Sequence, residues 1–183
     1  MNTQPESIVN ELFERLEQSE HTPYAEAVSQ LAHALQSAKL ASDVGGDEVT
    51  IIAALLHDIG HLYATEDNVK TDDHHEKLGA ALLREWGFSE RVAQLVEGHV
   101  EAKRYLTFKY PEYLAKLSPV SRHTLQLQGG MFTAEEADVF EKHPLFEEKL
   151  RMRAWDEQAK VPGREVSPLA TYRDMVLRHL TPS

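Results

Sequence analysis

The sequence contains no cysteine among its 183 residues. This absence excludes disulfide bonds, thiolate zinc sites, cysteine-ligated iron–sulfur clusters and cysteine nucleophiles. Basic residues are also scarce, since 19 lysines and arginines stand against 30 aspartates and glutamates and give a formal net charge of −11. Because a phosphate backbone or an anionic membrane requires a basic surface, we expect neither nucleic acid nor membrane as a partner.

Long hydrophobic runs are missing too. No segment approaches the roughly 20 apolar residues that a membrane-spanning helix needs. The first 18 residues are polar and acidic, whereas a secretory signal peptide has a basic start followed by an apolar run. We therefore expect a soluble protein of the cytoplasm.

The length of 183 residues favours one domain, which we expect to span residues 1–183. Apolar residues recur every three to four positions along most of the chain, as in amphipathic helices, and alternating strand patterns are hard to find. The predicted helices cover residues 8–16, 24–41, 74–86, 89–104, 133–142, 145–160 and 172–180, and one more contains the apolar run 51–56, with a polar loop at 64–73. Asp47 is the predicted cap of the helix with the apolar run, Ser89 caps the helix that follows it to residue 104, and Thr133 with Glu136 fits a capping box. The predicted fold is thus an all-α helical bundle.

Histidine is abundant, with 10 residues, and the most informative pair of polar residues ends the most apolar helix. His57 and Asp58 follow the run 51–56 directly, and His61 comes shortly after. A His–Asp pair beside so apolar a run is costly to bury unless it binds a cation. A hydrogen bond at the helix end is the alternative, but the apolar run and the following histidine favour a metal site.

Further nitrogen and oxygen donors lie on other predicted helices. Each alone is more often an ordinary core or surface residue, but together they give the order H…HD…H…H…D. Such a set suits two first-row metals, with Asp58 as the bridge. The other members are His33, His75, His99 and Asp156.

Helical spacing also directs further polar side chains, two of them cationic, toward this centre. Residues three or four apart share a helix face. The pairs are His99 with Lys103, His57 with His61, and Asp156 with Arg153. In an acidic protein, cations beside a metal centre indicate an anionic substrate group. For Arg153, support of a ligand carboxylate is an equal alternative.

These stretches resemble the HD-domain superfamily, and within it the diiron oxygenases that cleave carbon–phosphorus bonds. The resemblance extends from about residue 11 to residue 180 and includes 30–36 and 75–80, around two of the candidate histidines. Three further segments carry the resemblance: Gly98-His99-Val100-Glu101-Ala102-Lys103-Arg104-Tyr105-Leu106, Gln128-Gly129-Gly130 and Arg153-Ala154-Trp155-Asp156. The first and the last of these are the most specific to these oxygenases. It implies an all-α HD-domain fold.

The resemblance further implies two iron ions in a mixed-valent Fe(II)/Fe(III) pair. One iron would be held by His33, His57, Asp58 and Asp156, and the other by Asp58, His75 and His99. His74 is adjacent to His75 and competes with it for this role. His75 is preferred because it directly precedes the matching Glu-Lys-Leu-Gly stretch.

Two residues near the start of the second predicted helix complete the implied site. Glu26 lies seven residues before His33, two helical turns away on the same face, and would pair with an ammonium group. Tyr24 lies near the sequence position at which members of the family have a tyrosine. That tyrosine can occupy an open metal position before the substrate arrives. The predicted substrate-binding set is His61, Lys103, Arg153, Glu26, Ser121, Thr124, Gln128 and Tyr24, and the predicted catalytic residues are Asp58 as bridging ligand, His61 and Lys103.

The implied reaction is O₂-dependent cleavage of the C–P bond of a small (R)-1-hydroxy-2-aminoethylphosphonate-type molecule, with a primary or an N-trimethyl amine. Phosphate and glycine or glycine betaine would be released. The residues alone leave two alternatives open: a metal-dependent phosphohydrolase acting on a nucleotide or phosphate ester, and a sensor or binding module with a structural metal. A structural metal requires neither His61 nor Lys103 on its side of the helix.

Overall fold

The computed structural model describes residues 4–24, 27–64 and 74–181. Within these residues the chain forms α-helices, two short 3-10 turns and no β-strand. The helices are α1 (Pro5–Gln18), α2 (Gln30–Asp43), α3 (Glu48–Leu56), α4 (Ile59–Tyr63), α5 (His75–Glu85), α6 (Glu90–Lys109), α7 (Pro111–Lys116), α8 (Pro119–Leu127), α9 (Ala134–Glu141), α10 (Phe146–Gln158) and α11 (Arg173–Leu180). The predicted all-α fold class is confirmed. None of the helices in the described ranges is both long and apolar enough to cross a membrane.

The main core surrounds α3 and the first half of α6. Ile52, Leu55 and Leu56 of α3 are at most 1% exposed, and Leu95 and Val96 of α6 are fully buried. The helix α6 packs against α5, α3 and α10, and α2 packs against α3. Because burying each large aliphatic side chain stabilises the fold by about 1.5–3 kcal/mol, this core holds the ends of the surrounding helices in fixed positions.

Helix starts follow local capping chemistry. The side chain of Asp47 accepts a hydrogen bond from Thr50 N at 2.9 Å, at the start of α3. Ser89 caps α6 in the same way, and Thr133 with Glu136 forms a reciprocal capping box at α9. Each cap satisfies backbone N–H groups that have no partner inside the helix. The predictions for these three helix starts are confirmed.

The predicted start of α2 is wrong. The helix begins at Gln30 rather than at Tyr24, because the side chain of Ser29 caps it there and residues 22–24 and 27–29 are not helical. A helix that begins at Gln30 does not include the two turns before His33 on which the prediction for Glu26 depended. Glu26 itself lies outside the described residues, as does most of the predicted polar loop at 64–73.

The segment 111–127, for which no helix was predicted, forms α7 and α8. Each has a proline at its first position, Pro111 and Pro119, where the fixed φ angle suits a helix and no N–H is needed. Buried Leu117 and Leu125 anchor the segment to the rest of the protein. This segment brings Thr124 of α8 and Gln128 just after it within hydrogen-bond distance of Lys103 on α6.

Two glycines allow α4 and α5 to cross in close contact. A Cβ atom on Gly60 would lie 1.9 Å from the carbonyl oxygen of His75, and one on Gly79 would lie 3.2 Å from the backbone nitrogen of Gly60. Glycine permits this approach because it carries no Cβ. The crossing brings the residues after α3 next to the first residue of α5.

Candidate metal centre and substrate cavity

Six ionisable side chains from five parts of the chain converge at one place. They are His33 of α2, His57 and Asp58 at the end of α3, His75 of α5, His99 of α6 and Asp156 of α10. Their exposed fractions lie between 0% and 9%. Because buried charges are normally paired or bound to metals, this convergence itself points to a cation, and it unites all six predicted ligands.

One group of donors surrounds Asp58 Oδ2. This oxygen lies 3.4 Å from His33 Nε2 and 3.5 Å from His57 Nε2. The two Nε2 atoms are 3.0 Å apart. Asp156 Oδ1 completes the group at 3.3 Å from His33 Nε2. Two imidazoles and two carboxylates thus meet within the space of one metal ion.

A second group surrounds the other oxygen of the same carboxylate. Asp58 Oδ1 lies 3.2 Å from His75 Nε2 and 3.5 Å from His99 Nε2. These two nitrogens are 3.2 Å apart. Each oxygen of Asp58 therefore faces its own pair of histidines, which is the geometry of a carboxylate that bridges two metals.

Backbone carbonyls set the orientation of three of the imidazoles. His33 Nδ1 donates to Ala159 O at 2.9 Å, and His57 Nδ1 donates to Ala54 O at 2.8 Å. His99 Nδ1 likewise donates to a carbonyl of its own helix. A neutral imidazole that donates from Nδ1 has its lone pair on Nε2. When neutral, all three therefore present a lone pair to the centre.

The carboxylate oxygen in the first group has no conventional partner. Asp58 Oδ2 is buried and, among the described residues, has no hydrogen-bond partner. Leaving such an oxygen unpaired costs about 1–3 kcal/mol or more. Lone pairs converging on an unpaired oxygen fit a cation, and a nitrogen–oxygen donor set without thiolates suits a first-row metal such as iron.

Protonation in the metal-free centre follows the same electrostatics. Burial opposes a charge on His33, but the carboxylates of Asp156 and Asp58 outweigh burial and raise the pKa of His33 to about 9. Burial lowers the pKa of His99 to about 3. Burial also opposes ionisation of Asp156, yet Arg153 holds the pKa of this carboxyl well below its usual value. A proton on His33 thus supplies positive charge where a metal would.

His61 adjoins the second group. Its ring stacks on that of His75, with centroids 3.9 Å apart and an interplanar angle of 16°. Asp58, His61 and His75 can each offer a donor atom within 4.8 Å of one another. The side chain is therefore placed either to ligate or to contact a bound substrate. His74 instead lies 3.4 Å from Glu76 Oε1.

A cavity of about 160 Å³ lies beside the centre. Seven of the eight predicted substrate contacts line it: Tyr24, His61, Lys103, Ser121, Thr124, Gln128 and Arg153. Lys103 is 3% exposed, and its Nζ donates to Thr124 Oγ1 at 2.7 Å and Gln128 Oε1 at 3.0 Å. One wall is therefore a buried ammonium group supported by two acceptors at α8.

The family of the chain follows from comparison with known proteins. The HD-domain model matches residues 30–142, which contain five of the six candidate ligands. This chain belongs to the HD-domain family. It is 38% identical over 177 residues to hydroxymethylphosphonate dioxygenase of Gimesia maris, with 94% of this chain and 88% of that protein covered.

Two further relatives have similar identity to this HD-domain protein. The first is [1-hydroxy-2-(trimethylamino)ethyl]phosphonate dioxygenase (glycine-betaine-forming) of Leisingera caerulea, 37% identical over 171 residues, with 91% and 86% covered. The second is an uncharacterized protein of Acanthamoeba polyphaga mimivirus, 38% identical over 181 residues, with 96% and 83% covered. The predicted resemblance to HD-domain phosphonate oxygenases is confirmed.

The guanidinium group of Arg153 in this HD-domain protein forms hydrogen bonds with three other side chains. Its guanidinium donates to Asp156 Oδ2, to Glu157 Oε1 at 2.9 Å and to Tyr113 Oη at 2.9 Å. Of the two roles predicted for it, these bonds favour support of the Asp156 carboxylate. Sequence reasoning missed Tyr113, because nothing in its local pattern indicates a partner 40 residues away.

Tyr24 lies against the first donor group. Its ring stacks on that of His33, with centroids 4.0 Å apart, and its hydroxyl lies 3.5 Å from Asp156 Oδ1. Burial raises the pKa of Tyr24 well above its ordinary value, and Asp58 and Asp156 add to this. A neutral phenol thus borders the centre on the cavity side. Lys160, which no sequence signal singled out, lines the same cavity.

Proposed function

We propose that this HD-domain protein uses O₂ to cleave the carbon–phosphorus bond of a small 1-hydroxyalkylphosphonate. It is a non-haem metal oxygenase of the organophosphonate-degrading type. One observation carries the proposal: the carboxylate of Asp58 faces two separate donor groups, beside a cavity walled by Lys103. We also propose that residues 1–183 form one domain, since helices before and after residues 30–142 share the main core.

The proposed cofactor is a mixed-valent pair of iron ions. His33, His57, Asp58 and Asp156 would hold one iron, and Asp58, His75 and His99 would hold the other. When bound, the pair supplies the O₂ activation and the substrate oxidation that no side chain of this protein can supply. The carbonyls that accept from Nδ1 of His33, His57 and His99 would keep these rings in ligating orientation.

The polar side chains of the cavity would hold the substrate. Lys103 is suited to a phosphonate oxygen, because a buried ammonium is a point charge with several donor hydrogens. Thr124 and Gln128 keep that ammonium aimed at the cavity, and Ser121 adds a hydroxyl to the same wall. His61, at the second donor group, is placed to donate to the substrate.

The substrates that we propose are (R)-1-hydroxy-2-aminoethylphosphonate and its N-trimethyl form, with phosphate and glycine or glycine betaine as products. Support comes from the two named relatives, whose substrates by name both have a hydroxyl on the carbon attached to phosphorus. Tyr24 would border the open position at the first donor group.

The test is turnover by the iron-loaded protein. We would add each amine form, and hydroxymethylphosphonate, under air, and measure phosphate release together with O₂ consumption. Phosphate release that requires O₂ in matching amounts supports the proposal. Hydrolysis of a phosphate ester with manganese and no O₂ uptake would instead identify a phosphohydrolase.

A further inference from the structure

The cavity beside the metal centre contains a third cation whose hydrogen-bonding capacity is not used by the described residues. Lys103 and Arg153 both donate to described protein groups. Lys160 also lines this cavity, and no hydrogen bond or ion pair joins it to any described residue. Its Nζ lies 5.6 Å from the centroid of the Tyr24 ring, a contact that leaves its N–H donors available.

The backbone on both sides of Lys160 is anchored to α2. Ala159 O accepts the hydrogen bond from His33 Nδ1 at 2.9 Å. Val161 pairs twice with the side chain of Gln36, through Val161 N to Oε1 at 3.1 Å and Nε2 to Val161 O at 2.9 Å. Gln36 is only 2% exposed. Lys160 is therefore held between two fixed points, next to the first donor group.

Lys160 lies where the cavity adjoins a second, outer one. The outer cavity has a volume of about 380 Å³ and shares Ser118, Ser121, Arg153 and Lys160 with the inner one. It also contains exposed Lys116. Lys160 is thus one of two cations, with Arg153, that line both cavities.

We propose that Lys160 is a substrate-binding residue whose ammonium group donates to a phosphonate oxygen at the junction of the two cavities. The inference rests on the proposed function. A phosphonate carries between one and two negative charges near neutral pH and has three acceptor oxygens, as a phosphate does. Lys103 donates to Thr124 and Gln128, whereas no described residue accepts from Lys160, so its ammonium group can donate to a further phosphonate oxygen.

The test compares charge removal at Lys160 with charge removal at a remote lysine. For Lys160→Gln we expect kcat/KM for the hydroxyphosphonate to fall about tenfold, which is about 1.4 kcal/mol. We expect kcat to change less than about twofold, because an interaction made equally before and during reaction affects KM alone. Lys160→Arg keeps the charge and should recover activity to within about threefold of wild type. The control is Lys142→Gln, since Lys142 is 73% exposed and pairs with Asp138 on α9; it should leave kcat/KM unchanged.

Binding of inorganic phosphate to the iron-loaded protein, followed by calorimetry, tests the same contact without turnover. The dissociation constant should rise about tenfold in Lys160→Gln and stay constant in Lys142→Gln. Equal constants in Lys160→Gln and wild type, or no phosphate binding by wild type, would overturn the assignment. So would a fall in kcat that follows a loss of iron. Failure of the proposed function would appear separately, as absence of phosphonate turnover by iron-loaded wild type.

Discussion

Replacing Asp58 with asparagine removes the carboxylate that we propose as the bridge between two irons, while keeping the shape of the side chain. In the wild type, Oδ2 lies 3.4 Å from His33 Nε2, and Oδ1 lies 3.2 Å from His75 Nε2. An amide offers one oxygen acceptor and an NH₂ group that only donates. The substituted side chain can therefore provide an oxygen ligand to only one of the two donor groups at a time.

The two donor groups should respond unequally. The first keeps two histidines and the carboxylate of Asp156, whereas the second keeps His75 and His99 alone. Loss of one contact to a charged group costs about 1.5–3 kcal/mol, which weakens binding roughly 10- to 150-fold. We expect Asp58→Asn to retain one iron per chain in the first group and to lose the second.

The assay is iron content per chain after anaerobic loading and gel filtration, with circular dichroism to check the fold. Asp47→Asn is the matched control. Asp47 caps the opposite end of the same helix, where Arg91 and Thr50 outweigh burial and lower the pKa of its carboxyl to about 2. Asparagine still caps the helix, so the control should lose only the exposed ion pair with Arg91, about 0–1 kcal/mol of stability, and keep both irons.

Two tightly bound irons in a folded Asp58→Asn protein, with magnetic coupling between them unchanged, would refute the bridging role. A loss of iron equal to that of Asp47→Asn would refute it as well, because the effect would then arise from general destabilisation. The double variant Asp58→Asn/Asp156→Asn leaves the first group without a carboxylate, so it should bind no iron tightly. If it retains one iron per chain, the first group is not the stronger of the two.

The other predictions concern substrate binding, packing and protonation. Lys103→Met should lower kcat/KM about 10- to 100-fold and leave the iron content unchanged, because it removes a charged hydrogen-bond donor to the substrate. Steady-state kinetics and iron analysis on the same preparation check this. A parallel loss of iron would contradict it. Gly60→Ala should destabilise the protein by at least about 1–3 kcal/mol, because its Cβ would lie 1.9 Å from the carbonyl oxygen of His75; an unchanged melting temperature would disprove the close crossing. Metal binding at pH 7 should release about one proton, because the pKa of His33 is about 9 in the metal-free protein; calorimetry in two buffers of different ionisation enthalpy measures it. By linkage, the stability that His33 contributes to the metal-free protein is complete below its unfolded pKa of about 6.5 and declines as pH rises through about 9.

Much of the fold was predictable because it depends on local rules. Three-to-four-residue apolar spacing marked most helices, and Asp47, Ser89 and Thr133 marked three of their starts. Both signals act within a few residues, so they can be read from one stretch of chain. The same rules misplaced the start of α2, which Ser29 caps well after Tyr24. They also missed α7 and α8, which are short, mostly polar helices anchored by packing at Leu117 and Leu125.

The identity of the donor residues was also readable from the chain. Four histidines and two aspartates in helical contexts, together with the segments around His99 and Asp156, predicted an HD-type metal centre. The reason is chemical: imidazole and carboxylate groups are costly to bury, so their appearance on apolar helices points to a ligand. That part of the site needed no tertiary structure.

Only the tertiary structure decided how these groups face one another. The two oxygens of Asp58 divide the histidines into two groups, which come from four separate stretches of the chain. The hydrogen bond from Arg153 to Tyr113 depends on how α7 docks against α10. The position of Lys160 depends on Gln36, 125 residues from its partner Val161. Contacts over such separations leave no periodic trace in a sequence, because they arise from the packing of whole helices against one another.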